Sequence, residues 1–421
     1  MSAPEMISMG CRLNIAESET LRQHLAASNI DGDNLIIVNS CAVTNEAVRQ
    51  TRQTIRRAKK ANPEKNIIVT GCAAQIDPAM FAAMPETSAV VGNSDKYDVS
   101  NFKLGLQSNR PDIRVSDIMR ITETAPHMVS AFADRSRAFV EIQNGCGHRC
   151  TFCIIPFGRG NSRSVPAGLV VDQVQALVDK GFREVVLTGV DVTSYGPDLP
   201  GEPTLGMLIE RILKHVPALP RLRLSSLDGI EIDDRLFELL TEESRLMPHV
   251  HLSLQSGDNM ILKRMKRRHS REQAIALVER LKAKRPEIAI GADIIAGFPT
   301  ETNAMFANSR SIIEQCDVVH GHIFPYSPKQ GTPAEKMPQV DGQVIKSRAK
   351  ILRETVAQRA ELWRRSLVGS RQSILAEMSG DAGYSENFAR IQIDGSVSKG
   401  QIVAVDITGI NNEQLIGRVA G

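Results

Sequence analysis

Cys146, Cys150 and Cys153 form a C-x3-C-x2-C run inside the segment Gln143-Asn-Gly-Cys-Gly-His-Arg-Cys-Thr-Phe-Cys. Three thiolates can hold three irons of a [4Fe–4S] cube, which ordinarily has four protein ligands. The remaining iron is then open to bind and reduce a second molecule. Gly145 and Gly147 would let the backbone wrap closely around such a group. Zinc is the competing occupant. It usually takes four ligands from paired C-x2-C knuckles, and His148 could supply the fourth only awkwardly. Three further cysteines, Cys11, Cys41 and Cys72, are spaced about 30 residues apart. Cys316 stands alone in a helical stretch and reads as a small buried apolar residue. Seven cysteines in 421 residues are sparse and odd in number, which argues against a disulfide framework.

The elements that must position these thiols follow from the hydrophobic pattern. A first strand near Met6–Met9 precedes an amphipathic helix, Asn14–Ala27. Leu35–Val38 and Ile67–Val69 are short β-branched runs of the buried parallel-strand type. Between them Glu46–Ala61 is helical and stops at Asn62-Pro63. Cys11, Cys41 and Cys72 therefore each fall just beyond the carboxyl end of a strand, where open parallel sheets bind ligands. Neighbouring strands are ~4.8 Å apart, so the three thiols can converge on one object. Residues 97–136 show weak periodicity and read as a linker. A new series then predicts strands at Ala138–Gln143, Glu184–Leu187, Arg221–Leu224, Val250–Leu254, Ile288–Ile295 and Val318–Phe324, separated by helices. Six β/α units fit a curved parallel sheet, a partial barrel with its chemistry at the carboxyl ends. A long helix, Gly342–Leu367, follows. The last residues alternate or run β-branched between Gly and Asn, as in a short all-β barrel.

The length predicts two or three domains. Composition is that of an ordinary globular protein, with 42% hydrophobic and 24% charged residues. No apolar run approaches the roughly 18 residues of a membrane helix. Met1–Cys11 lacks the basic and apolar regions of a signal peptide. Both point to the cytoplasm and to no membrane partner. The net charge of +3 excludes little, so charge must be located. Arg49, Arg52, Arg56 and Lys60 share one face of the second helix, where Arg57 and Lys59 add further charge. Lys263, Arg264, Lys266, Arg267 and Arg268 form a second basic run. Each reads equally as a solvated face or as a phosphate contact.

With Phe152 in the aromatic slot, the C-x3-C-x-aromatic-C loop resembles the signature of the radical S-adenosylmethionine (SAM) superfamily. Across nearly the whole chain the sequence resembles the methylthiotransferase branch of that superfamily. The matching motifs include Asn39-Ser40-Cys41, Thr70-Gly71-Cys72, Leu187-Thr188-Gly189-Val190-Asp191, His251-Leu-Ser-Leu-Gln255-Ser256-Gly257 and Asp293-Ile-Ile-Ala-Gly297-Phe298-Pro299. The resemblance implies an α/β multidomain protein. An N-terminal open α/β methylthiotransferase domain (1–97) is followed by a linker (98–136), a partial (β/α)6 radical SAM barrel (137–367) and a TRAM-like RNA-binding barrel (368–421). The RNA-binding face of that last barrel would include Arg390, Lys399 and Arg418. The resemblance implies two [4Fe–4S] clusters, one on Cys146, Cys150 and Cys153, the other on Cys11, Cys41 and Cys72. SAM contacts would include Phe152, Gly189, Asp191, Gln255, Ser256, Asp293, Gly297 and Pro299. Arg267 or Arg268 could also reach the SAM carboxylate. Asp191 and Asp293 read equally well as ordinary strand-end acids.

Members of the family modify adenosine 37 of tRNA bearing an isopentenyl or a threonylcarbamoyl group, or an aspartate of a ribosomal protein. Ser40-Cys41-Ala-Val-Thr44-Asn45, Pro156-Phe157-Gly158-Arg159-Gly160 and Gly189-Val190-Asp191-Val-Thr193-Ser194-Tyr195 are most similar to the threonylcarbamoyl branch. The implied partners are a tRNA anticodon loop, an electron donor such as a flavodoxin or ferredoxin, and a sulfur source. The C2–H of adenine is neither acidic nor a leaving group, so a cofactor-derived radical suits it. An anticodon-loop base is already single-stranded and cheap to splay out. The rival readings are a non-catalytic iron–sulfur or zinc RNA-binding protein and a radical SAM enzyme that only methylates.

Overall fold

The computed structural model describes residues 3–28, 30, 32–104, 111–122 and 135–420. Five parallel strands, β1 (Glu5–Ser8), β2 (Leu35–Ser40), β3 (Asn66–Gly71), β4 (Ala89–Val91) and β5 (Asp112–Arg114), lie side by side in chain order. Their register sets Ser8 opposite Asn39 and Ser40 opposite Gly71. The carboxyl ends of β1, β2 and β3 therefore finish level. Ile36, Ile37, Val38, Ile67, Ile68 and Val69 are fully buried, as a parallel sheet covered on both faces requires. The reading of 98–136 as a linker is corrected here. That stretch supplies a helix (Ser100–Leu104) and the edge strand β5. Most of its remainder lies outside the described residues.

The central region contains β6 (Ala138–Asn144), β7 (Arg163–Ser164), β8 (Glu184–Gly189), β9 (Arg221–Leu224), β10 (His249–Gln255), β11 (Ala289–Ala296) and β12 (Val318–Pro325). Two sheets, β7-β6-β8-β9 and β10-β11-β12, are tied by parallel bridges at Leu222–Leu246 and Leu227–Leu252. Apart from the two-residue antiparallel β7, this is a curved six-stranded parallel sheet. Helices cover its outer face. Thr204 and Thr302 cap two of them by accepting from the N–H of Met207 and Met305, and Ser270 with Gln273 forms a capping box on a third.

The long helix Gly342–Leu367 leads into a closed barrel of β13 (Arg371–Ala376), β14 (Ala382–Ser385), β15 (Arg390–Asp394), β16 (Ile402–Asn411) and β17 (Gln414–Val419). This barrel sits against the amino ends of the central strands. Arg221 donates to Ser373 Oγ at 2.7 Å, and Arg223 donates to the carbonyls of Glu386 (3.0 Å) and Ser385 (3.2 Å). Phe388, at φ +70°, turns its ring to within 4.9 Å of the His249 ring. Arg221, Arg223 and their shared partner Glu184 are all buried. The interior of the central barrel is thus charged at its base.

Candidate active site

Cys146 follows β6 directly, and the loop carrying it is pinned from three sides. Gly145 sits at φ +70°, where a Cβ would come within 1.8 Å of the Asn161 carbonyl, so glycine is required. Gly147 has open space, and nothing there demands glycine. Buried Gln143 donates to the Gly145 carbonyl (2.7 Å) and Ser162 Oγ (2.9 Å), and accepts from the N–H of Val190 and Asp191. It therefore staples the cysteine loop to the turn after β8. Thr151 holds the other flank by donating its N–H to Met265 O and its hydroxyl to Arg264 O.

The surroundings of the three thiols carry both signs of charge. Arg267 Nη1 lies 3.8 Å from Cys150 Sγ, and Cys146 Sγ lies 3.8 Å from Asp191 Oδ2. His148 pairs with Asp191 at 2.8 Å. That hydrogen bond raises the imidazole above its ordinary value. Burial alone would raise Asp191, but His148 outweighs it and keeps the carboxyl low. Arg268 bridges Asp228 and Glu231, at 3.1 and 2.8 Å. The arginines of the 263–268 run therefore have partners within the fold, whereas Lys263 and Lys266 remain exposed. Arg264 donates to Thr300, and Arg267 and Arg268 turn to the cysteine loop.

The second trio stands at the level ends of β1, β2 and β3, with Cys41 and Cys72 buried and Cys11 exposed. Gly10, at φ +90°, brings its backbone so near Cys41 that a Cβ would lie 2.7 Å from both Cβ and Sγ of that residue. Asn14 ties two strand ends together by donating to Met9 O (2.6 Å) and Ser40 O (3.1 Å). Arg159, six residues beyond Cys153, reaches in from the central barrel. Its Nε lies 3.1 Å from Cys72 Sγ, and its two Nη atoms clasp Glu17 at 2.8 and 3.0 Å. Lys96 meets the same carboxylate at 2.8 Å. All three charged groups are buried. Burial by itself would raise Glu17, but Arg159 and Lys96 hold it below the usual carboxylate range.

Both trios suit a metal cluster. Burial, and in part neighbouring thiols, push Cys41 and Cys153 up to about 11 and Cys146 up to about 12. Such thiols give up their protons readily only to bound metal. The donors in each set are soft sulfurs, as iron–sulfur clusters use. His148 spends Nε2 on Asp191 and keeps Nδ1 as its one remaining ring nitrogen.

A cavity of about 190 Å³ joins the two regions. Val43 and Thr44, just after Cys41, line one side; Phe152, Cys153, Gln255, Asp293, Phe324 and Tyr326 line others. The seam is fixed by Asn45, whose N–H donates to Ser327 Oγ (3.2 Å) and whose side-chain oxygen accepts from buried Lys329 (2.9 Å). Burial lowers Lys329 to about 8. Among the residues expected from sequence, the structure brings Phe152, Gln255 and Asp293 to this cavity, and Asp191 to Cys146. Gly189 packs on Gln143, and Ser256 is buried against Ser309. Gly297 faces Ile345 in a turn, with Pro299 also buried. None of these last four lines the cavity. Sequence reasoning missed the part played by Arg159, and also His322, described below. The repeated pairs His249-x-His251 and His320-x-His322 were the available signal for the second.

Family models match the radical SAM superfamily over residues 140–311 and the uncharacterized protein family UPF0004 over residues 5–92. A threonylcarbamoyladenosine tRNA methylthiotransferase MtaB from Rickettsia prowazekii is 51% identical over 96% of this chain and 95% of its own length. The MtaB of Bacillus subtilis is 34% identical over 95% of this chain and 92% of its own. A tRNA-2-methylthio-N(6)-dimethylallyladenosine synthase from Erythrobacter litoralis is 30% identical over 98% of this chain and 96% of its own length. In fold, the chain is similar to the radical SAM methyltransferase TsrM from Kitasatospora setae. That likeness has a TM-score of 0.52 and 16% identity, over 77% of this chain and 69% of the other. The curved sheet with its three-cysteine loop is thus a radical SAM enzyme. Within that superfamily the chain belongs to the tRNA methylthiotransferases of the MtaB type.

Proposed function

We propose that this enzyme transfers a methylthio group to C2 of N6-threonylcarbamoyladenosine at position 37 of tRNA. Two [4Fe–4S] clusters would be held, one by Cys146, Cys150 and Cys153 and the other by Cys11, Cys41 and Cys72. The observation that carries the reading is the seam between them. One cavity is lined by Cys153 of one set and by Val43 and Thr44, which follow Cys41 of the other. A generator of radicals alone needs one such set; insertion of sulfur calls for a second.

When both clusters are bound, the chemistry they supply is one-electron cleavage of SAM at one and delivery of sulfur at the other. The chain's own residues hold the reactants. The Asp191–His148 and Arg268–Glu231 pairs offer both signs of charge to the amine and carboxylate of SAM. Gln255 and Phe152 line the way to the cavity, where the target base would meet the two sites.

The substrate choice rests on the named relatives of the MtaB type. Mass spectrometry of tRNA nucleosides from a strain lacking the gene tests it. Loss of the 2-methylthio derivative of threonylcarbamoyladenosine supports the reading. Loss of the isopentenyl derivative instead, or an unchanged profile, sinks it. On the same reading the enzyme works in the cytoplasm with a small electron donor and a sulfur source. No helix among the described residues is long and apolar enough to cross a membrane.

A further inference from the structure

β10 and β12 each carry an H-x-H pair, and β11 runs between them. The four imidazoles form two layers. In the lower layer, His249 and His320 pack 5.2 Å apart, with Phe388 and Trp363 around them. Burial pushes both below the ordinary histidine value, so this layer is neutral and structural. The upper layer is different. His251 Nε2 and His322 Nδ1 both bond one oxygen, Asp293 Oδ1, at 3.0 and 3.1 Å. Gly291 makes room for this, since a Cβ there would lie 2.3 Å from His251 Nδ1.

Burial alone would raise the Asp293 carboxyl, but the hydrogen bonds of both imidazoles hold it below its ordinary range. An ionised carboxylate only accepts, so each facing ring nitrogen donates. His251 is buried, whereas the side chain of His322 is 65% exposed. With Nδ1 committed to Asp293, the opposite nitrogen of His322, Nε2, is left for a ligand. Asp293 itself lines the cavity beside Cys153 and Gln255.

Charge also gathers at the base of the barrel, beneath the lower layer. There Arg12, Arg137, Arg221 and Arg223 gather about one interior carboxylate, Glu184, with Glu377 reaching Arg137 from the outer barrel. Burial, then Arg137 and Arg223, lower the Arg12 guanidinium to about 10. His251, Asp293 and His322 hold ligand atoms within 4.8 Å of one another, so a metal cation competes with a hydrogen-bonding ligand for this layer. The threonylcarbamoyl group carries a carboxylate, and an isopentenyl group does not.

We infer that His322, oriented by Asp293 and His251, is the subsite for the carboxylate on the N6 substituent of the substrate base. This deepens the threonylcarbamoyl reading and rests on it. The incoming carboxylate accepts from Nε2–H, so the imidazolium lies between two carboxylates, a charge-assisted arrangement on both edges. His322 is then a specificity-determining residue and Asp293 a positioning one.

The test uses the reconstituted full-length enzyme and two anticodon stem-loop RNAs, one with the threonylcarbamoyl acid and one with its neutral methyl ester. The wild type should favour the acid in kcat/KM by about tenfold or more. His322→Ala should bring the acid-to-ester ratio close to one, chiefly through KM for the acid. His322→Gln, which keeps a neutral donor, should fall between. Formation of 5′-deoxyadenosine from SAM reports that each variant is folded and loaded; Asp293→Asn should lower the ratio too if any variant fails that check. A ratio that His322→Ala leaves unchanged overturns the subsite. So does a non-iron metal bound at one equivalent in the wild type and lost in His322→Ala. If neither RNA is modified while an isopentenyl RNA is, the parent reading has failed instead.

Discussion

The two cysteine trios solve the same ligation problem in opposite ways. Cys146, Cys150 and Cys153 sit in one loop, and contacts of Gly145, Gln143 and Thr151, several with distant parts of the chain, shape it. Cys11, Cys41 and Cys72 are brought together only when three parallel strands pair in register. The first site is ringed by partly exposed pairs of both signs. The second is braced from below by a buried Arg159–Glu17–Lys96 cluster. The loop site takes its spacing from one segment and its shape from the turns that hold it, whereas the strand-end site requires the whole sheet, so its integrity should track the stability of the N-terminal domain.

The largest expected effect separates the two chemically. Cys150→Ala should abolish formation of 5′-deoxyadenosine from SAM, whereas Cys41→Ala should retain it and yet give no methylthiolated nucleoside. Product loss without loss of SAM cleavage in the first variant would erase the distinction. Next is Arg159→Met, which strips the guanidinium from Cys72 and Glu17 together. Breaking a buried pair by removing one partner costs about 3–5 kcal/mol. Denaturant unfolding of the apoprotein should show that loss, and iron after reconstitution should drop from about eight atoms toward about four.

Glu17→Gln sharpens the comparison through pH. Glu17 is held below its ordinary value, so its stabilisation is present above the unfolded carboxylate range and is lost as pH falls through and below that range. The stability gap between wild type and variant should be widest near neutrality and close in acid. An Asp191→Asn variant at the loop site should show a smaller gap, because that pair is less deeply buried. The smallest effect comes from Gly10→Ala, which forces a side chain into a positive φ at about 1–3 kcal/mol; Gly145→Ala adds to that strain a clash with the Asn161 carbonyl and costs more. Iron stoichiometry should fall in both, with SAM cleavage impaired by the second far more than by the first.

Much of this was legible in sequence where local signals are strong. The long helix Gly342–Leu367 was read to the residue, and Asp341 supplies its cap. The short strands Ala89–Val91, Arg163–Ser164 and Ala382–Ser385 left too little pattern to find, and polar Asp112–Arg114 disappeared into a supposed linker. Arg267 and Arg268 looked like surface charge because their acids, Asp228 and Glu231, lie nearly 40 residues upstream. Arg159 was visible as part of a motif, but its destination on another domain was not. On the C-terminal barrel, Arg390 and Arg418 are drawn to Glu377 and Asp394, which blunts the basic face read from sequence.

The reach of Arg159 also bears on the order of synthesis. The N-terminal sheet leaves the ribosome with Cys72, Glu17 and Lys96 already encoded, while the guanidinium that satisfies two of them arrives only with the following domain. Until then Glu17 has one cationic partner, and Cys72 lacks its nearest donor. The nascent N-terminal domain is therefore an unfinished vessel, sealed by the loop that also carries Cys146, Cys150 and Cys153.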